Sequence, residues 1–193
     1  MESMGTFVET DHPREQSGNS GRFRPKDNSA PESALGLVAP TDEEALTTAR
    51  DWSAAPDGLR AVGQRAGNPW LVEDALARNP NTPADTLVSL AATSPRSDVI
   101  HRLAMNPNTP PAVLHRLADD SRRDIRVHVA DNPNTAAEDV LALAGDDDLQ
   151  VVVRVIARND LQADAVARLR QSGFLVVHER LDAREAAGAP VSA

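Results

Sequence analysis

Residues 76–91 read LARNPNTPADTLVSLA. The centre of this stretch, Asn79-Pro80-Asn81-Thr82-Pro83, recurs as Asn106-Pro107-Asn108-Thr109-Pro110. It recurs again, with one change, as Asn132-Pro133-Asn134-Thr135-Ala136, and a degenerate copy begins at Asn159-Asp160. The intervals from Asn to Asn are 27, 26 and 27 residues. Self-similarity at such a period marks supersecondary units that stack and bury a shared core.

The flanks of the repeated word carry two helical patterns. Ahead of it come an apolar pair four residues apart and then Ala: Val72, Leu76, Ala77; Val99, Leu103, Ala104; Ile125, Val129, Ala130; and Val152, Ile156, Ala157. Residues four apart share a helix face. Behind it come Leu87, Leu90, Ala91; Leu114, Leu117, Ala118; and Val140, Leu143, Ala144, whose i, i+3, i+4 spacing predicts a second helix. A degraded unit, Leu59, Val62 and Ala66 before Asn68-Pro69, precedes these. Thr41-Asp42-Glu43-Glu44 reads as a further helix start, ahead of Ala45, Leu46 and Ala49, and Val166 and Leu169 close the array as a half-unit.

The repeated word itself predicts a break between helices. Asn-Pro ends the first helix, because proline lacks an N–H and disfavours helical geometry in the residue before it. Thr82, Thr109 and Thr135 are expected to cap the second helix, with Pro83 and Pro110 in its first position. Asp85 and Glu138 stand where a capping box would place its second member. Polar turns at Thr93-Ser94-Pro95, Asp119-Asp120-Ser121 and Gly145-Asp146-Asp147 separate one unit from the next. The chain is thus expected to be all-α, a solenoid of about four to five two-helix repeats over residues 41–183. Helices this short hold only by packing.

Composition agrees with that architecture. Aromatic residues make up 3% of the chain and there is no Cys, so the core rests on Leu, Val, Ile and Ala, and thiolate metal centres and disulfides are excluded. Residues 1–40 are polar and lack periodicity, which reads as a disordered leader; residues 184–193 read as a flexible tail. The leader holds a possible linear motif, Arg22, Phe23, Arg24 and Lys26, although a solubilising tail is the simpler reading. The start of the chain lacks a secretory pattern and its apolar runs are too short to span a bilayer, so a cytoplasmic location and no membrane partner are expected.

The residues quoted resemble the variant leucine-rich repeat (LRV) family. The matching pattern is an apolar helix ending Ala-x-Asn-Pro-Asn-Thr-Pro, followed by x-x-x-Leu-x-x-Leu-Ala, clearest over Leu71–Ala91 and Val99–Ala118. The resemblance spans about residues 56–170 and implies a right-handed superhelix that alternates α-helix with 3₁₀-helix. The units here are slightly longer than is usual for that family, which leaves room for a full α-helix in second place. HEAT-type repeats are the nearest similar class. Some members of the family carry a cysteine-rich iron–sulfur module; without Cys it is absent here, and no cofactor is expected.

The candidate sites divide into structural and surface positions. Asn79, Asn106, Asn132 and Asn159, together with Asn81, Asn108 and Asn134, form ladders whose side chains are expected to satisfy turn backbone groups, as do Asn and Asp in isolated turns. Non-repeating positions on the first helices are the candidate partner surface: Glu73, Asp74, Arg78, His101, Arg102, Met105, Val127, His128, Asp131, Arg154 and Arg158. The acidic turns, with Asp119, Asp120, Asp146, Asp147 and Asp148, lack the pattern of a calcium loop and read as solvated. His12, His101, His115, His128 and His178 fall into no metal motif, and His101 lies one column before His128, so these two are expected to splay apart; no metal is expected.

No catalytic arrangement or phosphate loop stands out. The function read from the sequence is therefore a non-catalytic adaptor that binds another protein through an extended repeat surface. The alternative is a nucleic-acid-linked role, either weak phosphate contact through Arg122, Arg123 and Arg126 or an acidic decoy surface. The net charge of −9 and the neighbouring Asp119, Asp120 and Asp124 argue against phosphate contact. No small-molecule substrate is implied.

Overall fold

The computed structural model describes residues 40–188. The motif Arg22, Phe23, Arg24 and Lys26, the rest of the leader as far as residue 39, and residues 189–193 lie outside the described residues. Among those described are eleven helices and no strand: α1 (Asp42–Arg50), α2 (Pro56–Gly63), α3 (Trp70–Arg78), α4 (Ala84–Thr93), α5 (Ser97–Met105), α6 (Pro111–Ala118), α7 (Arg123–Asp131), α8 (Ala137–Leu143), α9 (Leu149–Ile156), α10 (Ala163–Leu169) and α11 (Leu175–Ala186). None is long and apolar enough to cross a membrane.

The helices form two rows. Each odd-numbered helix packs against the next odd one from α1 to α11; among the even-numbered helices α2 packs on α4, α6 on α8 and α8 on α10, and each even helix packs against the odd row. This is the expected all-α repeat architecture, with five helix pairs and a closing helix. The even helices are α-helical, so the 3₁₀ alternative is not realised among them. The last element, α11, went unread in the sequence, and it continues to Ala186, past the expected boundary at 183.

The core lies between the rows. Val72, Leu76 and Ala77 of α3, Val99, Leu103 and Ala104 of α5, and Ile125, Val129 and Ala130 of α7 are buried, as are Leu87 and Leu90 of α4 and Leu114 and Leu117 of α6. Burying one such Leu or Val side chain stabilises by about 1.5–3 kcal/mol. The Ala at the end of each odd helix is wholly buried in the first four of them, at Ala49, Ala77, Ala104 and Ala130, where a small side chain lets consecutive helices approach closely. Ala66, read as core, is exposed in the turn after α2.

The Asn-Pro turn is held by its own polar groups. Asn79 ends α3 in an extended conformation (φ −72°, ψ 119°), as the following proline requires. Its Oδ1 accepts from the backbone N–H of Asn81 at 2.9 Å, and its carbonyl accepts from the Thr82 N–H at 3.1 Å. Its Nδ2 group reaches back one unit and donates to the carbonyls of Ala49, at 3.0 Å, and Asp51, at 2.9 Å. Asn106 does the same to Ala77 and Asn79, at 2.8 and 2.9 Å, and Asn132 to Ala104 and Asn106, at 2.8 and 2.9 Å. A second ladder lies outside the first: Asn81 Nδ2 donates to the Trp52 carbonyl at 2.6 Å, Asn108 to that of Pro80, and Asn134 to that of Pro107 at 2.6 Å.

Three expectations about these turns are corrected. Thr82, Thr109 and Thr135 are not N-caps. Each is buried, and its hydroxyl donates back to a carbonyl of the preceding helix: Leu76 at 2.7 Å, Leu103 at 2.6 Å and Val129 at 2.5 Å. Each of those carbonyls lies in the last turn of a helix and accepts the N–H of the closing Asn at 3.1–3.2 Å, but the residue four on is Pro80, Pro107 or Pro133, which has no N–H to give; the hydroxyl turns backwards to take that donor's place. The N-caps are instead Pro83, Pro110 and Ala136, without a side-chain bond. A full capping box does form where α1 begins, between Thr41 and Glu44.

The second correction concerns the fourth copy of the word. Asn159 is exposed, and the ladder position belongs to Arg158, whose Nη1 donates to the carbonyls of Ala130 and Asn132, both at 2.8 Å. The register of α9 is therefore Val151, Val155 and Ile156, all buried, whereas Ala157 is exposed. Arg158 is accordingly no part of a partner surface. The third correction is Asp85, which instead pairs with Arg60 at 2.8 Å.

The ladder's ends differ from its middle. Asp51 stands one unit before Asn79 and accepts from the Ser53 N–H at 2.8 Å, as Asn79 does from Asn81. A carboxylate cannot donate, and α1 is the first of the described helices, so among the described residues the row presents no earlier carbonyl there. At the other end Arg184 Nη1 donates to the Ile156 carbonyl at 3.2 Å. Asn106→Ala is expected to destabilise the chain by about 2–4 kcal/mol, because the buried carbonyls of Ala77 and Asn79 each lose a donor, the second keeping only the Thr82 N–H. Asn106→Asp should be worse, since it sets a carboxylate against the same carbonyls, whereas Asp51→Asn should be close to neutral. Urea titration monitored by helicity checks the order; equal losses at 106 and 51 would contradict it.

Candidate interaction surface

The outer face of the odd row carries most of the candidate partner positions. Counted back from the ladder residue, Arg78, Met105 and Asp131 occupy one column; Arg102, His128 and Arg154 a second; Asp74, His101 and Val127 a third. These columns lie one, four and five residues before the turn, a spacing that keeps them on one side of each helix. The contacts between them run from rung to rung. Arg78 Nε meets Asp74 at 2.8 Å within α3, Arg102 reaches the same carboxylate at 3.5 Å from α5, and Arg154 meets Asp131 at 3.3 Å between α9 and α7.

His101 and His128 join this strip directly. Their rings meet edge to face with centroids 4.4 Å apart and planes at 70°. The expectation that they splay apart is thus overturned. A one-column offset brings neighbouring odd helices' side chains together, because adjacent columns of packed helices face across the same groove. Met105, on the same strip, is 48% exposed. Val127 is partly buried against the core. Glu73 does not belong to the strip; it accepts from the Ser94 hydroxyl at 2.9 Å and braces the turn after α4.

Trp52 was not singled out by the sequence pattern, yet it is 67% exposed. It stands immediately after Asp51, in the turn after α1, where the later units have Pro80, Pro107 and Pro133. Substitution of tryptophan for the repeat's proline was the available signal.

The arginine cluster is committed elsewhere. Arg122 is paired with Asp120 at 2.7 Å, Arg123 with Asp124 at 2.9 Å, and Arg126 with Asp146 at 2.7 Å and with Asp147 at 3.7 Å. Asp120 and Asp146 also accept the N–H two residues on, from Arg122 and Asp148, each at 2.8 Å, and Asp148 caps α9. These carboxylates build the turns between units; Asp119 and Asp147 remain exposed. Burial pushes the Asp146 carboxyl up, but the Arg126 guanidinium and the Asp148 N–H outweigh it and hold the group below the usual carboxylate range.

Two histidines are perturbed in opposite directions. Its bond to Asp139, at 2.7 Å, raises the imidazole of His115. Burial, then the neighbouring His101, lowers that of His128, with Arg154 adding to the effect and Asp131 and Asp124 opposing it. A scan against family models and searches of curated proteins and of solved structures find no match to the chain.

The sign of the His128 effect fixes a pH dependence. The folded state binds this proton less readily than the unfolded chain does, so stability rises with pH across the interval between the two values. The contribution is complete above the unfolded value of about 6.5 and is lost as pH falls toward the lowered one. His128→Gln should therefore lose less stability than the parent between about pH 7.5 and pH 5.5. Urea titrations at both pH values test this; equal losses in the two chains would contradict it.

Proposed function

We propose that the chain is a non-catalytic protein-interaction module, an α-solenoid of the variant leucine-rich repeat or HEAT-like kind that holds a protein partner along its odd-helix face. The observation that carries this reading is the strip itself. The buried columns repeat from unit to unit, whereas the exposed ones change: acid, imidazole, guanidinium and thioether follow one another on a surface that the ladders keep rigid. Repeat arrays offer extended surfaces of this kind, on which exposed residues vary without disturbing the stack.

The mixed charge of the strip suits a protein surface of mixed charge, where complementary pairs give specificity. Exposed Met105 within it supplies apolar contact, and Trp52, exposed in the turn after α1, adds a residue type among those that dominate binding energy. The pairing of Arg122, Arg123 and Arg126 with carboxylates gives the nucleic-acid alternative no support.

A photo-crosslinking amino acid at position 105, introduced in the source cells, tests the proposal. A discrete adduct is expected from position 105 and not from position 88, where Val88 is exposed on the even row. No adduct at 105, or the same adducts at both sites, would contradict it.

A further inference from the structure

The even row carries a cluster that the interaction surface does not use. His115 lies on the exposed flank of α6, and Glu138 and Asp139 lie in the first turn of α8, the next even helix. Each of the three offers one ligand atom, and these atoms all lie within 4.8 Å of one another. Glu138 is exposed, but Asp139 is buried, its side chain only 4% accessible. In the neighbouring units the same column holds Thr86, Val113 and Ala165, all buried. A carboxylate has thus replaced a small or apolar core residue in one unit of the array.

Such a replacement needs a compensating charge. Burying an ionised carboxylate is costly unless it is paired and hydrogen-bonded. Asp139 Oδ1 meets His115 Nδ1 at 2.7 Å, while Oδ2 is buried with no hydrogen-bond partner among the described residues. One exposed imidazole therefore faces two carboxylates, one of them half satisfied.

We infer that His115, Glu138 and Asp139 form a binding site for a divalent transition-metal ion, of which Zn²⁺ is the probe, clipping α6 to α8. The donor set decides the class. One imidazole nitrogen and two carboxylate oxygens suit zinc and its neighbours, whereas calcium and magnesium take oxygen ligands in greater number. Ligands of zinc lie about 2.0–2.2 Å from the ion in tetrahedral array, so the Nδ1 and Oδ1 atoms, now 2.7 Å apart, need to part by about 0.6 Å. Glu138, on the surface, is free to close the third side. The ion takes the place now held by the proton between imidazole and carboxylate, and its two positive charges balance the two carboxylates. Water completes the coordination, since the chain supplies three ligands. The two ligand segments come from consecutive units, 24 residues apart, and no local motif announces them; the site departs from the expectation that no metal is bound.

The full chain, titrated calorimetrically with ZnCl₂ and in parallel with MgCl₂ and CaCl₂, tests the inference. A single equivalent of Zn²⁺ should bind, with no comparable heat from Mg²⁺ or Ca²⁺. Glu138→Gln alters an exposed residue and should fold as the parent does, whereas His115→Ala removes the partner of buried Asp139 and should be less stable; circular dichroism verifies that each variant is folded before it is titrated. Each is expected to weaken zinc binding by about tenfold or more. His101→Ala, which removes one of the two stacked histidines on the other face, should bind as the parent does. Absence of zinc binding, equal response to Mg²⁺ or Ca²⁺, binding that survives His115→Ala, or binding lost in His101→Ala would each overturn the inference.

Discussion

One side chain per unit holds the array in register. Asn79, Asn106 and Asn132 each turn both hydrogens of a primary amide onto two carbonyls of the preceding unit and use the amide oxygen to close their own turn. The turns are buried at this point, where an unpaired carbonyl has no water to fall back on. Sliding one unit past another would break these bonds together. The hydrophobic rows supply most of the stabilisation, but apolar contact is non-directional; it is the amide ladder that fixes which residue of one helix faces which residue of the next.

The rest of the structure follows from that constraint. Because the ladder residue must meet the carbonyl of the alanine column one unit back, the first four odd helices are drawn close together and their last buried position stays small; in α9, whose carbonyl is met by the longer Arg184, that position is Ile156. Because the helix must end where the ladder residue stands, proline follows it in the three regular units. Donor capacity, rather than the asparagine itself, is what the position requires. Arg158 and Arg184 meet it with a guanidinium, and Arg158 also grips Asp160 with its remaining nitrogens, at 2.8 and 2.7 Å. Leu161, fully buried, fills the place that Thr135 holds one unit earlier.

Much of this was legible in the sequence because the three regular units obey local rules: helical spacing of apolar residues, a proline break and a fixed period. The all-α fold and the structural role of the asparagines could be read from those rules. What could not be read depends on contacts across units. A side-chain hydroxyl can cap forward or bond backward, and the word Asn-Thr-Pro does not say which; the carbonyls of the preceding helix, which face a proline instead of a donor four residues on, decide it. Aligning by residue type put Asn159 on the ladder, although its neighbour Arg158 has the longer reach and the right donors. The meeting of His101 with His128, and of His115 with Asp139, needs the offset between neighbouring helices, which spacing along one chain does not contain. Glu73 and Arg158 look like surface positions for the same reason, although each is tied to a turn.

The surface proposed for a partner rests on the same frame. Its side chains pair from one helix to the next, and those pairings hold their geometry only while consecutive odd helices stay at a fixed offset. Hydrogen exchange of the asparagine side-chain amides, followed by NMR, tests that frame most directly. The Nδ2 hydrogens of Asn79, Asn106 and Asn132 should exchange as slowly as backbone amides in the core of α5 and α7, while those of exposed Asn159 exchange at the rate of a free amide. Equally fast exchange at all four would contradict the ladder as the element that sets the register.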